Sequence, residues 1–126
     1  MCEEGDIVQI ERLEKKSFET PDELRTPFER GEIAVLSLAG LTVQRETLQP
    51  GWRWSEHVKP MVGGESCQRY HVKYILSGRQ RVLMEDGTEL LLEPGDVAVM
   101  PPGHDAWVEG DEPNVLLELV GLMPTA

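Results

Sequence analysis

The sequence has little cysteine, little positive charge and no long apolar run, and each shortage excludes a class of protein. Two cysteines, Cys2 and Cys67, in 126 residues are too few for a disulfide framework and favour a reducing, cytoplasmic compartment. Because it lacks eighteen consecutive apolar residues, a basic leader and an apolar leader core, the sequence predicts neither a membrane span nor a secretory signal. Twelve Lys and Arg against 23 Asp and Glu give a formal charge of −11, which disfavours nucleic acid and anionic membranes as partners.

Helical periodicity is also scarce, whereas turn signals are frequent. From Glu32 onward, short apolar or alternating runs are separated by Gly or Pro: EIAVLSLAG, LTVQRETLQPG, WRWSEHV, YHVKYILSG, RQRVLMEDG, TELLLEPG, DVAVMPPG and NVLLELVG. The pair Asp86-Gly87 lies between two of these runs and is a hairpin signal. About eight strands with such regular turns predict an all-β fold, an antiparallel sandwich or barrel.

The length of the chain leaves room for one domain with its own core. Near the N-terminus, Thr20 as N-cap, Pro21 at the first helical position and Glu23 three residues after the cap predict one short helical turn. We therefore expect residues 1–31 to form an N-terminal arm with a helical turn, and residues 32–123 to form the barrel domain.

Three spacings in the sequence match the motifs of one family. Five residues separate Gly51 from His57, and six residues separate His71 from Gly78. In Gly95–Gly103, five residues separate the first Gly from Pro-Pro-Gly. On these motifs the chain resembles the cupins over roughly residues 32–121. The resemblance implies a double-stranded β-helix, which is an antiparallel jelly-roll barrel, and a metal held by motif side chains.

The chain departs from the cupin motifs at three positions. Lys59 stands where the family has its second histidine, Ala106 replaces the late histidine, and Gly110 replaces an asparagine. His104 precedes Ala106 by two residues, so its side chain would lie on the same face of an extended strand. We expect His104 to take the place of the missing histidine.

All three histidines therefore fall on or beside motif positions: His57, His71 and His104. Neutral imidazoles that face inward predict a site for a divalent transition metal, with Zn, Fe, Mn and Ni all open. Cys67 is either a fourth ligand or a buried inert thiol. Four residues of extended strand span about 13 Å, so the chain must turn between Cys67 and His71 if both bind one ion.

Lys73 shares strand parity with His71, so we expect it to face the interior, where an unpaired cation is unfavourable. Two interpretations stay open for it. Lys73 acts as a base or as an anchor for an anionic ligand, or a bulge or a nearby Glu relieves its charge.

Three functions are compatible with these residues. The first is a metal-dependent dioxygenase, isomerase or lyase acting on a small organic substrate, which requires an open coordination position. The second is a binding or sensing module for a small molecule, with a structural metal or none, and the third is a metal-free barrel. We also expect a homodimer or larger homo-oligomer, formed by pairing of the apolar terminal strand in NVLLELVGLM and the N-terminal arm across a two-fold axis.

Overall fold

The chain folds into two antiparallel β-sheets whose inner faces share one apolar core. A computed structural model describes residues 10–120. These residues form nine strands and two short helices: β1 Glu23–Arg25, β2 Gly31–Leu38, β3 Leu41–Leu48, α1 Trp54–His57, α2 Lys59–Val62, β4 His71–Ser77, β5 Arg79–Met84, β6 Glu89–Leu92, β7 Val97–Met100, β8 His104–Glu109 and β9 Asn114–Glu118. The all-β antiparallel fold predicted from the sequence is confirmed.

The larger sheet has the strand order β1-β2-β3-β9-β4-β7, and the smaller sheet has the order β6-β5-β8. Alternation of side chains sets which residues face inward. In β8, His104, Ala106 and Val108 are buried while the residues between them are partly exposed. In the larger sheet, Ile75 and Leu116 are fully buried opposite each other on β4 and β9.

The hairpin predicted at Asp86-Gly87 is present and joins β5 to β6. The Asp86 carboxylate accepts a hydrogen bond of 2.9 Å from the backbone N–H of Thr88. Gly87 has φ +92°, a left-handed conformation that glycine adopts without a steric penalty. The sequence signal therefore identified the turn and its chemistry correctly.

Two local predictions were wrong. The helical turn expected at Thr20–Glu23 is absent, because the segment continues into β1, which pairs with β2. The run WRWSEHV, expected as a strand, contains the helix α1. Asp105, on β8, accepts hydrogen bonds from the backbone N–H and the hydroxyl of Ser55, each about 3 Å long, and these bonds stabilise the first turn of α1.

The apolar terminal strand does not lie at a sheet edge. β9 sits between β3 and β4 in the larger sheet, so its backbone is already paired on both sides. The predicted pairing of this strand across a two-fold axis is therefore wrong for residues 114–118, and Gly121–Met123 of the predicted segment lie outside the described residues. The boundary predicted between residues 31 and 32 stays a prediction. No helix within residues 10–120 has the length and apolar character needed to cross a membrane.

Candidate metal centre

Three side chains with metal-binding donors meet at one end of the space between the sheets. They are Cys67, His71 and His104, whose donor atoms all lie within 4.8 Å of one another. The Sγ of Cys67 is 3.5 Å from Nε2 of His71, and the two imidazole rings have centroids 5.1 Å apart with an edge-to-face orientation. Cys67 and His104 are buried and His71 is partly buried.

Backbone pairing fixes Cys67 beside His104. The N–H of Cys67 donates to the carbonyl of His104 at 2.7 Å, and the N–H of Gly103 donates to the carbonyl of Cys67 at 2.7 Å. Residues 68–70 then leave this short bridge as irregular chain before β4 begins at His71. The turn that the sequence analysis required between Cys67 and His71 is present, which is why both side chains reach the same point.

Hydrogen bonds orient both imidazole rings. The Nδ1–H of His71 donates to the carboxylate of Glu118 at 2.6 Å, and the Nδ1–H of His104 donates to the carbonyl of Pro101 at 2.8 Å. With Nδ1 carrying the proton, Nε2 of each ring keeps its lone pair free. Carboxylate and carbonyl partners of this kind hold metal-binding histidines in the coordinating tautomer.

The electrostatics of the site favour neutral imidazoles. Burial, assisted by the charge of Lys73, lowers the pKa of His71 to about 3. Burial also lowers the pKa of His104 to about 4. The Cys67 thiol has a raised pKa, again chiefly because it is buried. At neutral pH both histidines are therefore ready to coordinate, whereas Cys67 must lose a proton to do so.

A second polar group lies beside the histidines and contains Glu46, Lys73 and Glu118. Glu46 and Glu118 are diagonal neighbours on β3 and β9, and their carboxyl groups are hydrogen-bonded to each other. Burial and the neighbouring carboxylate of Glu118 raise the pKa of Glu46 to about 7. Burial also raises the pKa of Glu118. Since Glu118 accepts from His71 and lies opposite Lys73, Glu46 is the carboxyl group that holds the shared proton.

The interior position predicted for Lys73 is confirmed, since its side chain is only 4% exposed. The Nζ of Lys73 donates to the side-chain carbonyl of Gln80 at 3.0 Å. The amide of Gln80 donates in turn to Asn114, which donates to the backbone carbonyl of Ser77. This chain of buried hydrogen bonds fixes the lysine in place.

These groups line a cavity of about 190 Å³ that lies between the sheets. Its polar wall contains the three metal-binding candidates together with Lys73, Glu46, Glu118 and Arg69. Apolar and aromatic side chains make up most of the remaining wall: Phe28, Ile33, Trp52, Trp54, Val58 and Ala106. The volume equals that of about six water molecules in the liquid, so the cavity suits a small molecule.

The structure does not bring His57 into this group. His57 lies on α1, where its Nδ1 accepts a hydrogen bond of 3.0 Å from the backbone N–H of Arg53. It neither lines the cavity nor belongs to the set of donors within 4.8 Å. The sequence analysis treated this segment as a strand, and the helix directs the side chain elsewhere.

Sequence reasoning missed the two carboxyl groups of the cavity, of which Glu118 is buried and Glu46 is partly buried. Glu118 lies in the apolar run NVLLELV two residues after Leu116, so its inward parity was readable from the sequence. Glu46 was less visible, because β3 carries polar residues on both faces and is partly exposed along most of its length. Only the register between β3 and β9 places Glu46 beside Glu118.

Two antiparallel sheets around one core, with His71 and His104 lining the space between them, are the arrangement expected of a cupin. A family model described as the EutQ-like cupin domain matches residues 49–115, more than half of the chain. The chain therefore belongs to the EutQ-like cupin domain family. The matched range contains Cys67, His71 and His104, whereas Glu46 and Glu118 lie just outside it.

Solved structures agree on the fold. A protein of unknown function from Rhizobium leguminosarum bv. viciae 3841 is 19% identical with a TM-score of 0.61, over 86% of this chain and 96% of the other. An RmlC-like cupin from Shewanella frigidimarina is 18% identical with a TM-score of 0.59, over 87% and 91%. KdgF from a Halomonas species is 17% identical with a TM-score of 0.55, over 77% and 83%. No curated protein matches the sequence.

The donor set fits a divalent transition metal. Two imidazoles and one thiol are ligands that zinc and iron accept, and both imidazoles already have the hydrogen-bond partners typical of bound histidines. Three protein ligands would leave a coordination position open toward the cavity, which is the arrangement of catalytic rather than structural metal sites.

Proposed function

We propose that this protein is a metal-dependent enzyme acting on a small organic substrate in the cavity, with Cys67, His71 and His104 as the metal ligands. The observation that carries the proposal is the convergence of three donor atoms within 4.8 Å at the wall of a 190 Å³ cavity. A bound divalent ion would supply Lewis-acid chemistry there. An isomerase, lyase or dioxygenase would each use such a site.

The residues around the ligands have separate roles in this proposal. Glu118 positions the His71 ring through the 2.6 Å bond to Nδ1. Glu46, whose pKa is raised to about 7 by burial and by Glu118, exchanges a proton near neutral pH and suits general acid–base catalysis. The apolar wall excludes water from the substrate.

The donor chemistry narrows the choice of metal. Thiolate is a soft ligand that favours Zn²⁺ or Fe²⁺ over Mn²⁺, which prefers oxygen ligands. Two neutral imidazoles are compatible with Zn²⁺, Fe²⁺ and Ni²⁺ alike. We therefore propose zinc or iron as the resident ion.

The first test is metal analysis of protein purified without a nickel column, followed by titration of Zn²⁺ into chelator-treated protein. We expect one ion per chain and a metal-dependent rise in the melting temperature, because an ion that binds only the folded state stabilises it. The His104→Ala variant removes one ligand and should weaken zinc binding by about 100-fold or more.

The matched control is His57→Ala, which removes the histidine that lies on α1. We expect this variant to bind zinc with wild-type affinity. Wild-type protein that carries no metal, and whose melting temperature is unchanged by Zn²⁺, Fe²⁺, Mn²⁺ and Ni²⁺, would refute the enzyme proposal and favour a metal-free binding module.

We further propose a cytoplasmic homodimer or larger homo-oligomer. A reduced thiol as ligand suits a reducing compartment.

β7 is an edge strand of the larger sheet, and its outward side chains Val97 and Val99 are 67% and 76% exposed. An exposed apolar edge of this kind invites pairing with the same strand of a second copy. Light scattering at micromolar concentration tests this, and a monomer would contradict it.

A further inference from the structure

Lys73 is a buried cation whose neighbouring carboxyl groups, Glu46 and Glu118, form their hydrogen bonds with other groups. Its side chain is 4% exposed, and no carboxylate within residues 10–120 approaches Nζ to ion-pair distance. Glu118, directly opposite on β9, is hydrogen-bonded to His71 and to Glu46 instead. Burying a charged group that has no contacting counter-charge is unfavourable, and an anionic ligand in the cavity would supply that counter-charge.

The hydrogen bonds of Lys73 leave donors free at the cavity. A lysine side chain has three N–H donors, and Gln80 accepts one of them at 3.0 Å. The orientation of Gln80 is itself set by its bond to Asn114, so Lys73 is held at a defined point of the wall. Two donors remain for a ligand in the cavity that Lys73 lines.

A second cation lies at the rim of the same cavity. Arg69 lines it and is exposed, and the guanidinium has no ion-pair or hydrogen-bond partner in the part of the chain that the structure describes. The positive charge of Arg69 acts to lower the pKa values of Cys67, His71 and Glu118, as expected for a residue that lines the same cavity. The other arginine of the rim, Arg25, is instead paired with Glu23 at 2.6 Å.

We propose that the cavity binds small organic carboxylates, with the carboxylate held by Lys73 and attracted by Arg69, and the hydrocarbon part packed against the aromatic wall. The inference rests on the proposed function in that it names the substrate class of the same site. Lys73 and Arg69 supply donors to an acceptor-only group, Phe28 and Trp52 supply an apolar surface, and about 190 Å³ limits the ligand to a few carbon atoms.

Butyrate and its neutral counterpart butyramide are the probes, because they have the same size and differ in charge. Binding of each to chelator-treated protein and to zinc-loaded protein is measured by ligand-observed NMR at constant ionic strength. We expect butyrate to bind with at least about tenfold higher affinity than butyramide in both forms, because a charge-assisted hydrogen bond is stronger than a neutral one. Equal binding of the two probes would overturn the inference.

Three variants test which residues hold the carboxylate. Lys73→Met keeps the length of the side chain and should weaken butyrate binding about tenfold or more, while Lys59→Met, on α2 outside the cavity, should leave it unchanged. Arg69→Gln changes an exposed residue, so the fold is not at risk, and should weaken butyrate binding severalfold with a smaller dependence on salt. Wild-type butyrate affinity in both Lys73→Met and Arg69→Gln would contradict the proposal, as would an equal loss in Lys59→Met.

Zinc binding measured on the same samples separates this inference from the proposed function. If the chelator-treated protein binds butyrate through Lys73 but never binds metal, the enzyme proposal fails and the carboxylate site stands. If zinc binds through His104 while butyrate binds no better than butyramide, the carboxylate inference fails and the metal site stands.

Discussion

The protein has two cavities that are lined very differently. One, of about 190 Å³, holds the imidazoles, the thiol, Lys73 and two carboxyl groups. The other, of about 300 Å³, is lined mainly by apolar side chains of β5, β6 and β7. Both are lined by strands from the two sheets, so the fold does not dictate the polar lining of the first.

The difference predicts where substitutions should change stability and where they should change ion and ligand binding. Burying ionisable groups is unfavourable unless each is hydrogen-bonded or neutralised, and the polar cavity shows the consequences as lowered histidine pKa values and raised carboxyl pKa values. The apolar cavity has no such groups except Asp86 at its turn. Substitutions at the apolar end should therefore change mainly stability, whereas those at the polar end should also change ion and ligand binding.

The largest effect that we predict is at the apolar end. Leu92→Ala removes a side chain that is 4% exposed and lines the apolar cavity, and should lower the free energy of unfolding by about 2–5 kcal/mol. Urea denaturation measures this, and zinc affinity should remain at the wild-type value. The control Leu90→Ala lies in the same strand and cavity but is 60% exposed, so we expect a change within about 0.5 kcal/mol. Equal losses of stability in the two variants would contradict the role assigned to the buried side chain of Leu92.

The second prediction concerns pH and Glu46. The folded-state pKa of Glu46 is about 7, against 4.5 as the ordinary value, so the folded protein holds a proton that the unfolded chain releases. The stabilising effect of that proton is complete below pH 4.5 and is lost as pH rises through 7. Because Gln mimics the protonated acid, Glu46→Gln should gain stability relative to wild type from pH 5 to pH 8, by up to about 3 kcal/mol.

Urea denaturation of metal-free protein at pH 5 and at pH 8 measures the stability gain of Glu46→Gln. Glu112→Gln is the control, since Glu112 is exposed and should give the same difference from wild type at both pH values. If Glu46→Gln behaves like Glu112→Gln, then Glu46 does not hold the shared proton in the polar cavity.

How much of this was readable from the sequence differs between the two ends. The strands and the hairpin followed from alternation and turn residues, because these signals are local. His104 was placed correctly on the face of Ala106, since β8 is regular. His57 was misplaced because α1 is short and depends on Asp105, which is distant in sequence. No local pattern records such a contact.

The polar cavity also depends on register, which the sequence does not state. Lys73 was predicted to face inward from its parity with His71, and it does. Its partner Gln80 is only seven residues away but lies on a strand of the other sheet. The contact between Glu46 and Glu118 arises from pairing between strands that are far apart in the chain. Strand parity predicts the face of a side chain, whereas its neighbours on that face require the strand order.

The third prediction, with the smallest expected effect, concerns protons released when an ion enters the polar cavity. The pKa values of His71 and His104 are about 3 and 4, so both rings are already neutral between pH 5 and 8 and release no proton to a metal. The pKa of Cys67 is raised by burial, so its thiol must be deprotonated by the ion. Zinc affinity should therefore rise about tenfold per pH unit across this range, rather than titrate with the ordinary histidine pKa near 6.5.

Cys67→Ser tests this assignment, because a serine hydroxyl keeps its proton at these pH values. The variant should bind zinc about 10- to 100-fold more weakly near neutral pH, and its affinity should hardly change between pH 5 and 8. The comparison is best made in the Glu46→Gln background, which removes the other proton that the cavity can release near pH 7. Calorimetry in buffers of different ionisation enthalpy counts the protons directly. An unchanged pH slope in Cys67→Ser would remove the thiol from the ligand set and leave His71 and His104 as the only ligands on the polar wall.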